Sequence, residues 1–160
     1  MTLTDTNAGV LSAEALLKHW QGHRCLTRRV IEAFPEDKLF SYSIGGMRNF
    51  GTLVVEMLSM AVPIAEGVAT GVWPAWSELE LPKTKEALLA RWDQDTKDLD
   101  RIVPTIPAAR FTGVDKAFGQ WEGTGMDIIL YALDNEIHHR GQGYVYLRSL
   151  GIAPPDFYQR

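Results

Sequence analysis

Four long stretches of this chain carry apolar residues at three-four spacing, and each is bounded by a capping residue, a proline or a glycine. The first spans about Ser12 to Phe34, with Leu16, Trp20, His23, Thr27, Val30 and Phe34 on one face. Ser12 is placed as its N-cap, Glu14 lies in the first turn, and Pro35 ends it. The second runs from about Phe50 to Gly67 behind Asn49, with Leu53, Met57, Met60 and Ile64 as its face. Pro63 removes a backbone donor there and predicts a kink. The third covers Lys85 to Ile102 behind Thr84, with Leu88, Trp92, Leu99 and Ile102 as its stripe and Pro104 and Pro107 beyond it. The fourth starts at Thr124, which forms a Thr-x-x-Asp capping pattern with Asp127, and reaches about Leu150 before Gly151. It would be roughly 40 Å long at the α-helical rise.

The connections are unequal. Glu36 to Arg48 is turn-rich, Gly67 to Pro82 carries Trp73 and Trp76, and Arg110 to Gly123 is long, with extended structure expected near Phe111. Strand signals are otherwise weak and no repeat stands out. The pattern predicts an all-α chain folded as a four-helix bundle. At 160 residues it fits a single domain, residues 1–160, with residues 1–11 expected as a flexible N-terminus.

The content of 46% hydrophobic and 22% charged residues is that of an ordinary globular protein. A formal net charge of −4 without a basic run argues against nucleic acid and anionic membranes as partners. The most apolar stretch, Leu53 to Val62, is interrupted by Glu56 and reads as too short for a membrane span. The first residues show no signal-peptide pattern, and a cytoplasmic location is expected. Cys25 is the single cysteine, so it forms no intrachain disulfide or Cys-based zinc site, and it reads as a packing residue.

The chemistry concentrates in Asp134-Asn135-Glu136-Ile137-His138-His139-Arg140-Gly141-Gln142. Asn135 and His139 are four apart and share a helical face. Such a crowd on an apolar helix is costly to bury without hydrogen-bonded partners or a ligand. Glu56 is the second candidate, a lone carboxylate between Val55 and Met57 that needs a cation, a metal or a proton. His19 and His23 are also four apart, and His23 would complete a site if the first and fourth helices adjoin. Each of these groups also reads as a satisfied polar core. Glu136 and Arg140 are spaced for a helical salt bridge of a few tenths of a kcal/mol. Gly141 and Gly143 predict close approach of a neighbouring helix or a ligand, since glycine inside a helix costs about 1 kcal/mol relative to alanine. Trp73-Pro74-Ala75-Trp76 would roof a pocket or cover the bundle end.

The run Glu136-Ile-His-His-Arg-Gly-Gln142, followed by Tyr146-Leu-Arg148, Leu150-Gly151 and Pro154-Pro155-Asp156-Phe157-Tyr158, resembles the C-terminal signature of the DinB family, part of the DinB/YfiT-like superfamily of metalloenzymes. Gly46-Met47-Arg48-Asn49-Phe50-Gly51 resembles the segment that opens the family's second helix. The resemblance implies an up-down-down-up four-helix bundle and a homodimer. It also implies a divalent metal, nickel or zinc ahead of manganese, held by three histidines. Aligned on these residues, the usual positions fall on Glu56, Asn135 and His139, so two of the three histidines are replaced. Whether His19, His23 or His138 joins the site is left open.

Two functions follow. The resemblance implies a metal-dependent enzyme, such as a thiol S-transferase acting on small electrophiles, with a low-molecular-weight thiol as partner. The alternative is a non-catalytic, stress-related bundle whose degenerate site holds no metal.

Overall fold

The computed structural model describes residues 11–160. The expected flexible terminus therefore lies outside the described residues except for Leu11. The elements are α1 (Ala13–Ala33), α2 (Glu36–Leu39), α3 (Phe50–Thr70), α4 (Lys85–Ile102), α5 (Ala108–Thr112), the hairpin strands β1 (Val114–Ala117) and β2 (Trp121–Thr124), and α6 (Gly125–Ser149).

The long helices begin where a short polar side chain can take up an orphan backbone donor. Ser12 Oγ accepts from the Ala15 amide at 3.1 Å, Asn49 Oδ1 from Thr52 at 2.9 Å, and Thr84 Oγ1 from Ala87 at 3.1 Å. Each such cap contributes about 1 kcal/mol. At Thr124 the capping box is complete, with the Asp127 amide donating to Thr124 Oγ1 and the Thr124 amide donating to Asp127 Oδ2, both at 3.1 Å.

Helix α3 runs through Pro63 and ends at Thr70, three residues later than expected, capped by Gly71, whose φ of 76° only glycine adopts freely. It is thereby long and apolar enough to cross a membrane, which corrects the sequence expectation. Yet 67% of its most apolar window is buried inside the bundle, so this is the composition of a core helix. A fully buried Leu, Ile or Met contributes about 1.5–3 kcal/mol, and α3 buries Leu53, Met57, Leu58 and Ile64.

Side-chain pairs fix the helix directions. Gln21 reaches Asp100, Arg28 reaches Asp93 and Lys85 reaches Phe34, so α1 and α4 are antiparallel. Glu56 meets Asn135, and Tyr146 reaches Arg48, so α3 and α6 are antiparallel as well. One apolar cluster joins Leu16 and Trp20 to Ile64, Leu99 and Ile129; the other joins Val30 and Phe34 to Phe50, Trp92 and Tyr146. The bundle therefore runs up, down, down, up. Between the clusters α6 carries Asp134 to Val145 and α1 carries Gln21 to Arg29, which together form a polar layer.

The expected extended structure near Phe111 lies elsewhere. Phe111 belongs to α5, and the antiparallel hairpin follows it, pairing Val114 with Thr124 and Ala117 with Trp121. The hairpin turn carries Phe118, which packs against Trp73, Trp76 and Trp121 with ring centroids 5.2–5.9 Å apart. Such contacts between side chains far apart in sequence leave no local alternation to read. Cys25, expected to pack, is exposed.

Candidate functional site

Glu56 stands in the N-terminal half of α3 and is only 17% exposed at its side chain. Asn135 Nδ2 donates to its Oε1 at 2.9 Å, and His139 Nε2 lies 3.0 Å from the same oxygen. Arg48, from the turn preceding α3, reaches Oε2 at 2.5 Å. His139 Nδ1 is held in turn by Gln142 Oε1 at 2.8 Å. Antiparallel packing of α3 on α6 brings these residues together, with Asn135, His139 and Gln142 on successive turns of one α6 face. The three residues singled out in the sequence thus converge. Arg48 and Gln142 complete the group, and the signal for Arg48 was its place in the turn just before Asn49.

Burial opposes the charge on Glu56, but the hydrogen bonds from Asn135, His139 and Arg48 outweigh it and bring the carboxyl down to about 2. It is therefore an ionised, fully engaged acceptor near neutral pH. Asn135 Oδ1 is buried and lacks a partner among the described residues.

Helix α6 sends its other polar residues to the opposite side. Glu136 is buried and accepts from Thr27 Oγ1 at 2.6 Å, with Arg24 at 3.9 Å and Arg140 at 3.8 Å. The Glu136–Arg140 pair forms the expected helical salt bridge, and it does so within the core. Arg24 also lies 3.8 Å over the Trp92 ring. Burial raises the Glu136 carboxyl and lowers Arg24 and Arg140, against the pull of their mutual attraction.

His23 faces this second group. Its Nδ1 accepts from Arg140 at 2.9 Å, and its Nε2 meets His19 at 3.2 Å and Arg160 at 2.9 Å. Burial, reinforced by Arg140, Arg160 and His19, brings its pKa down to about 4. These bonds tie His23 to α6 and the C-terminal segment, and His19 to His23, away from the Glu56 group. His138 is exposed and packs edge-on against the His139 ring at 5.0 Å.

One turn along the same seam lies a cleft of about 230 Å³, lined by Met60, Ile64, Phe118, Trp121, Ile128 and Tyr131. Met60 follows Glu56 by four residues, and Tyr131 precedes Asn135 by four. The tryptophan loop and the hairpin wall this end of the bundle. Trp73 also covers Gly67, where a Cβ would lie 2.3 Å from its ring.

The sequence profile of the DinB family matches residues 4–160.

The chain belongs to the DinB family.

Its curated relatives include the uncharacterized YjoA of Bacillus subtilis (strain 168), 28% identical over 151 residues, which cover 91% of this DinB protein and 95% of YjoA. Two solved structures share its fold. A DinB-like protein from Bacillus cereus ATCC 10987 superposes with a TM-score of 0.74 at 15% identity, and the YjoA structure with 0.71 at 21%. Each superposition covers 91% of this chain and 97% of the other.

The residues of this DinB protein do not suit the metal that the family resemblance implies. The seam offers one carboxylate and one imidazole, and among the described residues no three His, Cys, Asp or Glu side chains are grouped to hold an ion. Glu56 Oε1 is already engaged by two groups and Oε2 by a guanidinium. A divalent ion would have to displace those bonds beside the fixed positive charge of Arg48.

Proposed function

We propose that this DinB-family protein binds a small, largely apolar molecule in the cleft between α3, α6 and the hairpin, and that it works without a metal ion. The observation that carries this reading is the saturation of Glu56 by Arg48, Asn135 and His139. A general base works best with a pKa near the operating pH. A carboxylate held at about 2 is a weak base near neutrality, and one with both oxygens engaged is a poor nucleophile or metal ligand. The geometry favours recognition over catalysis.

Recognition would divide between the two ends of the seam. Met60, Ile64, Phe118, Trp121 and Tyr131 supply apolar and aromatic surface for the body of the ligand. Asn135 Oδ1, which has no partner among the described residues, would accept a hydrogen bond from a hydroxyl or amine on the ligand. The Glu56 pairings would hold that amide in place. This is a role for the three family positions different from that of a metal triad.

Metal content tests the reading directly. Untagged protein, purified and then incubated with nickel, zinc or manganese, should retain well under one equivalent of each. A stoichiometric ion that disappears in His139→Ala would overturn it. Tryptophan fluorescence should shift as small aromatic alcohols or amines fill the cleft beside Trp121, and Tyr131→Ala should weaken that response.

A further inference from the structure

A second cleft, of about 390 Å³, lies on the far side of α6, where the chain returns after Gly151. Ile137, Arg140, Gly141, Tyr144 and Arg148 form its α6 wall, and Pro154 to Phe157 form the other. These residues are largely those of the C-terminal motif that the Glu56 group does not use.

One polar group in the wall of this cleft lacks a partner. The Tyr144 hydroxyl is shut off from bulk solvent and makes no hydrogen bond among the described residues. Buried polar groups are almost always paired, so an unpaired one in a cleft wall marks a place where something polar binds. The surrounding charge indicates its sign. Tyr144 feels Arg140, Arg29 and Arg148, against one carboxylate, Asp156. Asp156 is itself occupied, accepting from Tyr158 at 3.1 Å and from Gln159 at 3.2 Å. Arg148 is exposed at the rim.

Gly141 adds an independent observation. Gly143, two residues on, is required by packing, since a Cβ there would lie 2.4 Å from the Phe50 ring. At Gly141 nothing among the described residues stands within 4 Å of the Cβ position, so none of them requires a glycine. Its effect is to leave the α6 wall of the cleft bare. Ile137, 37% exposed, and Phe157, 67% exposed, flank the opening with apolar surface.

We propose that this cleft binds a small organic oxyanion, a carboxylate or phosphate monoester with a compact apolar body. The Tyr144 hydroxyl donates to the oxyanion, Arg148 closes over it, and the body lies along Gly141 between Ile137 and Phe157. Tyrosine hydroxyl and guanidinium donors suit this chemistry because each presents N–H or O–H groups to the oxygens of a planar carboxylate or a phosphate.

The test is titration calorimetry on the full chain with benzoate, phenyl phosphate, inorganic phosphate and uncharged benzyl alcohol. Saturable binding of benzoate or phenyl phosphate is expected, with benzyl alcohol at least tenfold weaker. Binding of inorganic phosphate as tight as phenyl phosphate would remove the apolar body from the proposal and so count against it. Tyr144→Phe and Arg148→Ala should each weaken binding about tenfold or more with the thermal midpoint unchanged. Gly141→Leu should fill the cleft and abolish binding in a folded protein, as circular dichroism would show. No saturable binding of any anion at millimolar concentration, or binding indifferent to all three variants, would overturn the proposal. Asn135→Ala, in the separate Glu56 group, should leave this binding intact.

Discussion

His139 Nε2 stands 3.0 Å from Glu56 Oε1 across the seam of two antiparallel helices, while Arg48 holds the other oxygen of the same carboxylate. The pair locates the polar centre of the seam and shows that its charges are balanced within the chain. It also makes the family's metal positions testable by reconstruction.

Glu56→His combined with Asn135→His would place three imidazoles on the converging positions and remove the carboxylate that Arg48 neutralises. Nickel or zinc affinity measured by calorimetry should rise by at least a hundredfold over wild type. Unchanged affinity would mean that these side chains do not converge.

Glu136 is the electrostatic centre of the core, facing Arg24 and Arg140 with Thr27 bonded to its oxygen. Removing one partner of a buried charge group strands the others. Glu136→Ala should therefore cost about 3–5 kcal/mol. For a chain of this size that corresponds to a fall of roughly 10 °C in Tm. A fall of less than a few degrees in calorimetric melting would show that the two arginines find other compensation.

The two histidine and carboxylate groups respond to pH in separate windows. His23 is lowered from 6.5 to about 4. The unfolded chain therefore takes up its proton first, and the stability tied to neutral His23 is lost as pH falls from about 6.5 towards 4. Glu56 is lowered from 4.5 to about 2, so its contribution is present above 4.5 and is lost as pH falls towards 2. Urea midpoints should show both losses. His23→Asn should flatten the first window alone and Glu56→Gln the second alone, and identical profiles in all three proteins would refute the assignment.

The helical glycines should behave oppositely. Gly143→Ala drives a methyl into Phe50, and overpacking of that kind costs about 1–3 kcal/mol. Gly141→Ala meets none of the described residues and should stabilise the helix by up to about 1 kcal/mol. Paired denaturation curves of the two variants decide this. Similar behaviour of the two would sink the packing argument.

The sequence pattern located the long helices because each is amphipathic and locally capped. Ser12, Asn49, Thr84 and Thr124 were recognisable since a cap is made within one turn of chain. The hairpin and α5 were not, because Phe118 and Trp121 are held by tryptophans some forty residues away. Arg48 escaped notice as a partner of Glu56 for the same reason. The sequence showed it eight residues from Glu56 in a turn, and only the path of that turn directs the guanidinium back along α3. Cys25 was assigned the wrong surroundings, and the burial of the Glu136–Arg140 pair was not legible, because helical spacing gives neighbours and not which side faces the core.

Local chemistry by itself therefore determined a helical bundle, its caps and the concentration of polar residues in Asp134 to Gln142. Only the tertiary structure decided how that run divides. Its face with Asn135, His139 and Gln142 turns towards Glu56 on α3, and its face with Glu136 and Arg140 turns towards α1. The physical reason is that a helix rotates about 100° per residue. Neighbours in one polar stretch are thus sent to different helices, and the packing of α6 against both α1 and α3 fixes which partner each one meets.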